Sequence, residues 1–142
     1  LGAPVGSMLL GTKNFITQAR EYRKILGGGM RQVGVIASMA NKSLDLRERI
    51  LDDHQKASDI FDFINKELES NSFFTVNYKN TNMIFLKFHD GNNSQNFIKK
   101  LEKEGVLSGL INNKTVRLVF HKDVSKDDLV HVKEAIHSSS VI

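Results

Sequence analysis

Cysteine and tryptophan are absent from this sequence, and proline occurs once among its 142 residues. Without cysteine the chain can form neither disulfide bridges nor thiolate metal sites, so we expect a reducing, cytoplasmic location. No apolar run approaches the roughly twenty residues that a membrane helix requires. A charged leader with a cleavage site is also missing, so we expect neither a membrane span nor a signal peptide.

Charge is present but not concentrated. Twenty Lys and Arg residues against 16 Asp and Glu residues leave a formal net charge of +4. The densest basic stretch comprises Lys13, Arg20, Arg23, Lys24 and Arg31, and its simplest interpretation is the solvated face of a helix. Because nucleic-acid-binding surfaces gather positive charge on one face and interleave aromatic residues, we expect no nucleic-acid partner. The 40% of hydrophobic residues predicts a globular fold with a core.

The first third of the chain predicts one strand and two helices. These segments are a strand at 5–10, a helix at 13–26, a helix at 32–40 and a break at 41–43. Thr12 is the predicted cap of the first helix, and the glycines that follow it predict its end. Since one strand and two helices do not complete a domain, we interpret residues 1–43 as the end of a larger α/β domain.

The remainder, residues 44–142, predicts a small α+β domain with helices on one face of a largely antiparallel sheet. Apolar residues at intervals of three and four predict a long first helix. The predicted elements are a helix at 44–69, strands at 74–78 and 83–88, a helix at 94–104 capped by Ser94, strands at 106–111 and 115–120, and a helix at 126–138. Ser125 and Asp128 have the spacing of a capping box ahead of the last helix.

The run Gly27-Gly28-Gly29-Met30-Arg31-Gln32 separates the two helices of the first third. Glycine lets a backbone pass close to a ligand, and an arginine at the start of a helix suits a phosphate or a carboxylate. As a pattern alone, three glycines are also typical of a flexible linker. The run matches neither the dinucleotide-binding fingerprint nor the P-loop.

Read together with its neighbours, this run resembles a motif of the threonine aldolases, which are fold-type I, pyridoxal-phosphate-dependent enzymes of the β-eliminating lyase family. In that family a Ser-Lys-Gly step precedes Leu-Gly-Ala-Pro-Val-Gly-Ser, and Arg-Lys, Gly-Gly-Gly-Met-Arg-Gln and a small-residue helix follow. The matching segments of this chain are Leu1–Ser7, Arg23-Lys24, Gly27–Gln32 and Gly34–Ala40. Weaker similarity continues in Asp53-His54, Thr81-Asn82, Val116–Val119, His121 and Asp123–Ser125.

The resemblance implies the C-terminal part of a low-specificity L-threonine aldolase. It implies an α/β fold in which residues 1–43 end the large pyridoxal-phosphate-binding domain and residues 44–142 form the small domain. The expected reaction, part of glycine biosynthesis, cleaves L-threonine or L-allo-threonine to glycine and acetaldehyde. The lysine that binds the cofactor is expected two residues before Leu1, so we expect no catalytic residue in the chain and no activity from it alone. The expected partners are an amino-acid substrate, the missing N-terminal half and further copies in a dimer or homotetramer.

The resemblance also implies roles for particular residues. Arg31 is expected to contact the cofactor phosphate, across a dimer interface, and Lys24 to lie near the same site. Gly28 and Gly29 are expected to let the backbone approach the cofactor. Arg117 is expected to bind the α-carboxylate of the substrate, because its planar guanidinium suits a planar carboxylate. From the residues alone, Arg117 is interpreted as an exposed sheet arginine. For Lys24, the interpretation as a surface lysine on an amphipathic helix competes closely with a role near the cofactor.

The histidines predict no metal site, because their spacing is not that of metal ligands. His54 lies on the apolar side of the predicted long helix and is interpreted as a core residue. His121 follows Arg117 on the same predicted strand face, where a supporting role is open. Two other functions stay open: a related β-eliminating lyase acting on another amino acid, and a non-catalytic interaction domain.

Overall fold

The computed structural model describes residues 1–68 and 73–140. Within these ranges the chain forms five α-helices, one short 3-10 helix and four β-strands. In chain order they are α1 (Lys13–Ile25), α2 (Gly34–Asp45), the 3-10 helix Arg47–Arg49, α3 (Ile50–Glu67), β1 (Phe74–Tyr78), β2 (Met83–Phe88), α4 (Gly91–Lys103), β3 (Gly109–Asn112), β4 (Thr115–Val119) and α5 (Asp128–Ser140). The chain divides into two compact units, Leu1–Arg47 and Glu48–Ile142, which we call the first and second units.

The helices of the first unit confirm the prediction in number but not in every boundary. Helix α1 begins as predicted, with the Thr12 hydroxyl accepting a hydrogen bond from the backbone N–H of Phe15 at 3.4 Å. The predicted break at 41–43 is wrong, because α2 continues to Asp45. This stretch contains neither glycine nor proline, and the Ser43 hydroxyl donates to the carbonyl of Met39 at 3.0 Å, a bond that keeps serine within a helix.

The predicted strand at 5–10 is also wrong. These residues have no regular secondary structure, and the four-stranded sheet takes no strand from the first unit. Met8 and Leu10 are more than 80% exposed. An apolar run becomes a strand only when a neighbouring strand satisfies its backbone N–H and C=O groups, and the described residues offer no such neighbour to this segment.

The second unit is built on an antiparallel sheet with strand order β1-β2-β4-β3. The predicted bounds of β1 and β2 are confirmed: apolar residues alternate with polar ones in β1, and β2 is a short, mostly apolar run. Side chains alternate between the two faces of such a sheet. Phe74, Ile84, Leu86, Val116 and Leu118 lie on the buried face.

Helices α3, α4 and α5 cover that buried face. Ile60 and Ile64 of α3, Phe97 and Leu101 of α4, and Ile136 of α5 join the same hydrophobic core. A cluster of aromatic rings occupies one end of it, where the rings of Phe88 and Phe97 lie 5.2 Å apart. The predicted architecture, an antiparallel sheet with helices on one face, is therefore confirmed.

Several predicted boundaries in the second unit shift by a few residues. Helix α3 begins at Ile50 after the 3-10 helix instead of at residue 44, and its predicted end at Glu69 lies outside the described residues. Helix α4 begins at Gly91, because the side chain of Asp90 accepts from the N–H of Asn92 at 3.3 Å and caps the helix in place of Ser94. Strand β3 is shorter than predicted, and α5 begins and ends two residues later.

Ser94 has a different role from the one predicted. Its hydroxyl lies within α4, 2.8 Å from the carbonyl of Gly91 and 2.7 Å from that of Asn113. The second contact ties the start of α4 to the β3–β4 turn. By contrast, the predicted capping box is confirmed: Ser125 N–H donates to the Asp128 carboxylate at 2.8 Å, and Asp128 N–H donates to the Ser125 hydroxyl at 3.2 Å.

Candidate functional site

The glycine run after α1 forms a tight turn that reverses the chain. Gly28 N–H donates to the carbonyl of Arg23 at 2.8 Å, and Gly27 N–H donates to the carbonyl of Lys24 at 3.2 Å. This pair of bonds is the Schellman arrangement that closes a helix, and it requires a positive φ at Gly27, which is +75°. The turn brings the chain back along the last two turns of α1.

A concavity of about 670 Å³ lies between α1 and the returning chain. Its lining residues are Thr17, Arg20, Glu21, Arg23, Lys24, Gly29, Met30 and Arg31. Four of these side chains are cationic and one is anionic. No ion pair of these four cations is found among residues 1–68 and 73–140. An unpaired group of cations in a concave surface is suited to an anion.

Three of the four residues predicted to contact the cofactor therefore line one concavity: Arg31, Lys24 and Gly29. Arg31 precedes α2 by three residues instead of starting it, so its guanidinium and not the helix N-terminus supplies the charge. Gly28 lies in the turn, where its N–H is already bonded to Arg23. Its contact with the cofactor stays a prediction, as do the contacts of the other three.

Arg117 is exposed on β4, on the face of the sheet opposite the core. Its cross-strand neighbours are Phe85 on β2 and Gly109 on β3. Phe85 is half-buried, and a Cβ added at Gly109 would meet no atom within 4 Å, so space is open on that side of the arginine.

The sheet face that carries Arg117 has no acidic side chain on β1, β2 or β4. The residues of this face on the three strands are Thr75, Asn77, Met83, Phe85, Lys87, Thr115, Arg117 and Val119. Lys87 is a diagonal neighbour of Arg117, so the nearest charge on the adjacent strand is also positive. A guanidinium without a nearby carboxylate stays available for an anionic ligand.

His121 does not extend the face that carries Arg117, because β4 ends at Val119. Its Nδ1 accepts from the N–H of Asp123 at 3.3 Å, and it closes the turn after the strand. His54 is partly buried on α3, where its backbone carbonyl accepts from the hydroxyl of Tyr78 at 3.2 Å. No group of three His, Asp or Glu side chains placed to hold a metal ion occurs in the described ranges.

Lys56 is a charged residue that the sequence reasoning missed. Its side chain is 4% exposed, and its ammonium group lies 2.9 Å from Asp52 and 3.2 Å from Asp53. Burial disfavours the charge, but the hydrogen bonds that the ammonium group donates to the two carboxylates outweigh that effect and raise the pKa of Lys56. The spacing of three and four residues to Asp53 and Asp52 was the signal that could have identified it.

Lys56 also reaches the segment that follows β4. Its ammonium group lies 3.4 Å from the backbone carbonyl of His121, four residues beyond Arg117. Asp52 in turn lies 3.3 Å from Lys126, ahead of α5. Helix α3 is thus tied to the end of the strand that carries Arg117.

The chain matches the family model described as beta-eliminating lyase over residues 1–90. It is 37% identical over 134 residues to low-specificity L-threonine aldolase 1 of Arabidopsis thaliana, covering 91% of this chain and 36% of that protein. It is 33% identical to the low specificity L-threonine aldolase of Escherichia coli (strain K12), covering 93% of this chain and 38% of that protein. The chain thus spans little more than a third of the length of these relatives.

Solved structures show the same fold at lower identity. An ornithine aminotransferase from Plasmodium yoelii aligns with a TM-score of 0.63 and 20% identity over 74% of this chain and 29% of that one. An ornithine aminotransferase from Toxoplasma gondii aligns with a TM-score of 0.58 and 16% identity over 77% of this chain and 26% of that one. The latter structure is described as showing partial occupancy of PLP at the active site.

Proposed function

This chain belongs to the beta-eliminating lyase family, and from that premise we propose that it is the C-terminal part of a pyridoxal-phosphate-dependent threonine aldolase. The parent enzyme cleaves L-threonine and L-allo-threonine to glycine and acetaldehyde, as a step of glycine biosynthesis. The observation that carries the proposal is the similarity to relatives named low-specificity L-threonine aldolase, which covers more than 90% of this chain.

In this proposal, residues 1–43 end the large cofactor-binding domain and residues 44–142 form the small domain. The two compact units, Leu1–Arg47 and Glu48–Ile142, support a boundary in this region. Further support comes from burial, because the hydrophobic core lies entirely in the second unit. The lysine that binds the cofactor belongs to the part of the parent enzyme that this chain does not span.

The cationic concavity of the first unit is the proposed phosphate site. Arg31 offers a bidentate guanidinium, and Lys24 adds a second positive charge at the same lining. Gly29 keeps that part of the lining free of a side chain. This donor set fits a phosphate monoester, which carries close to two negative charges near neutral pH.

Arg117 is the proposed anchor for the substrate α-carboxylate. Its guanidinium can donate hydrogen bonds to both carboxylate oxygens, and no acidic residue of β1, β2 or β4 on the same face competes for it. Pyridoxal phosphate, when bound, supplies the electron sink for charge that develops at the substrate α-carbon. Holding the carboxylate fixes the rotation about the α-carbon and thereby selects which bond breaks.

We include three further expectations in the proposal. The parent enzyme is cytoplasmic, as the absence of cysteine suggests. No helix in the described ranges is long and apolar enough to cross a membrane. The enzyme assembles as a dimer or homotetramer, in which Arg31 reaches the phosphate of a neighbouring copy.

The test is an assay of acetaldehyde release from L-threonine by the complete enzyme, with pyridoxal phosphate present. Arg117→Gln is expected to lower kcat/KM roughly hundredfold, because loss of orientation costs about that much. Arg117→Lys keeps the charge, and its kcat/KM should lie between those of the wild type and Arg117→Gln. Lys99→Gln removes an exposed charge from α4 and serves as the matched control. Activity of Arg117→Gln equal to that of Lys99→Gln would contradict the assigned role.

The isolated chain of 142 residues is expected to release no acetaldehyde above a protein-free control. A panel of other β-substituted amino acids separates threonine cleavage from the related function of a lyase acting on another substrate. That second candidate is favoured only by the name of the family model, beta-eliminating lyase. A complete enzyme without activity on any of these amino acids would favour a non-catalytic interaction domain.

A further inference from the structure

The cationic concavity carries more positive charge than its two predicted cofactor residues account for. Besides Arg31 and Lys24, it is lined by Arg20 and Arg23, and Glu21 is its one carboxylate among the described residues. None of the four cations has an ion-pair partner in the described ranges, so Glu21 does not neutralise any of them through a salt bridge.

The additional positive charge suits a phosphate monoester. Such a monoester carries about −1.5 to −2 charges near neutral pH. Arg31, Lys24 and Glu21 together have a net charge of only one positive unit. A further cation at the lining brings the charge of the site closer to that of its ligand. The candidates are Arg20 and Arg23, which lie on the same helix α1.

The turn after α1 distinguishes these two arginines. The carbonyl of Arg23 accepts the N–H of Gly28 at 2.8 Å. A Cβ added at Gly28 would lie 3.0 Å from Cγ of Arg23 and 3.1 Å from its carbonyl oxygen. The stem of Arg23 therefore lies directly against Gly28, and a side chain at position 28 would require it to shift. Arg20 is not among the neighbours of an added Cβ at any glycine of this turn.

We propose that Arg23 is a third anion-binding residue of this site, contacting the phosphate of pyridoxal phosphate together with Arg31 and Lys24. Gly28 is its positioning residue, since it lets the Arg23 side chain lie across the turn that leads to Arg31. This inference rests on the proposed function, because that function supplies the phosphate ligand. It goes further by giving a binding role to a residue that the family resemblance left without one.

The test measures binding, not catalysis. The apo form of the complete enzyme is titrated with pyridoxamine 5′-phosphate, which is fluorescent and forms no Schiff base with a lysine. Arg23→Gln is expected to weaken this binding about tenfold, as for the loss of one hydrogen-bonded charge. Arg23→Lys should weaken it less, since the charge remains but the bidentate fork is lost. Lys13→Gln, on the same helix but outside the concavity, should have no effect.

Pyridoxamine, which lacks the phosphate group, is the control ligand for this measurement. Its affinity should be the same for the wild type and for Arg23→Gln, since the contact is with phosphate. Circular dichroism confirms that each variant keeps its helices. Raising the salt concentration should weaken binding of pyridoxamine 5′-phosphate by the wild type more than by Arg23→Gln.

A double-mutant cycle tests the role of Gly28. Gly28→Ala is expected to weaken binding of pyridoxamine 5′-phosphate several-fold by displacing Arg23, and to have little effect when Arg23→Gln is already present. Gly34→Ala is the control, because its added Cβ meets no atom within 4 Å. Additive effects of Gly28→Ala and Arg23→Gln would overturn the positioning role.

The outcomes are separable. Equal affinities of Arg23→Gln and Lys13→Gln for pyridoxamine 5′-phosphate would overturn the contact between Arg23 and the phosphate. Equal losses of affinity in Arg23→Gln and Arg20→Gln would also overturn it, because they would show that the overall positive charge of the concavity attracts the ligand without a specific contact. Failure of the wild type to bind pyridoxamine 5′-phosphate at all would overturn the proposed cofactor, and the inference about Arg23 with it. Normal wild-type binding with an unaffected Arg23→Gln would overturn the inference alone.

Discussion

The two units of this chain bury very different amounts of apolar surface. In the second unit, Ile60, Ile84 and Leu86 are 0% exposed within a core that all of its helices share. In the first unit, Ser43 is the one buried residue of positions 1–47, and Ile25 is 76% exposed. Both units contain amphipathic helices of similar length, yet only one of them has a core.

This difference concerns the source of stability for the helices of the first unit. Burial of an amphipathic face, not intrinsic propensity, supplies most of the stability of a helix in a protein. The apolar side chains of α1 and α2 have no such burial within their own unit, and in the proposed function further protein surface covers them. The chain spans about 36% of the Arabidopsis relative, and the remainder of the parent enzyme is the proposed cover.

The largest expected effect comes from a matched pair of truncations. Ile60→Ala in α3 should lower the free energy of unfolding of the isolated chain by about 2–5 kcal/mol, because it opens a cavity in a closed core. Ile25→Ala in α1 should change it by less than about 0.5 kcal/mol, as for an exposed site. Urea unfolding monitored by circular dichroism measures both.

The same two substitutions test whether the units differ in this way in solution. A cost of 2 kcal/mol or more for Ile25→Ala, in the range of core truncations, would mean that the first unit forms a core of its own in solution. The same substitution, Ile25→Ala, in the complete enzyme tests whether other parts of the protein cover this side chain. There the cost should rise, because the proposed covering surface is present.

The second expected effect concerns Lys56, since the second unit buries a charged group and the first does not. Lys56→Met should cost about 2 kcal/mol of unfolding free energy, because it leaves Asp53 without its ammonium partner and Asp52 with Lys126 alone. Lys66→Met on the same helix is the control: its side chain is 84% exposed, and its cost should be about 0.5 kcal/mol or less. Equal costs would contradict the assignment of Lys56 as a buried structural charge.

Prediction from sequence succeeded where the residues of a segment determine its structure by themselves. The capping box of Ser125 and Asp128 and the short apolar run of β2 are local patterns, and both are found as predicted. The strand at 5–10 and the contacts of Lys56 depend on what lies beside them in space, which local periodicity does not report. For the same reason the basic residues of α1 were interpreted as a solvated face, whereas the glycine turn gathers four cations around one concavity.

A smaller effect is expected from the helix caps. Ser125→Ala should cost about 1 kcal/mol, because its hydroxyl is one half of a reciprocal cap on a helix that packs against the core. Thr12→Ala removes the corresponding cap of α1, where the bond is 3.4 Å long, and should cost only a few tenths of a kcal/mol in the isolated chain. Urea unfolding under the same conditions measures both, and a larger cost for Thr12→Ala would reverse the ranking of the two units.

The smallest expected effect is a dependence of stability on pH that arises in the cap of α5, which contains Asp128, and not in the cap of α1, which contains Thr12. Hydrogen bonds from the backbone N–H and then the hydroxyl of Ser125 lower the pKa of Asp128 below its usual value. A carboxyl whose pKa is lower in the folded state adds stability above its unfolded pKa of about 3.9, and this stability is lost as the pH falls through the folded pKa. The urea midpoint of the wild type should therefore fall more steeply below about pH 5 than that of Asp128→Asn. Thr12→Ala removes an uncharged cap and should keep the steep wild-type profile, so a profile flattened by Thr12→Ala would contradict this origin of the acid sensitivity.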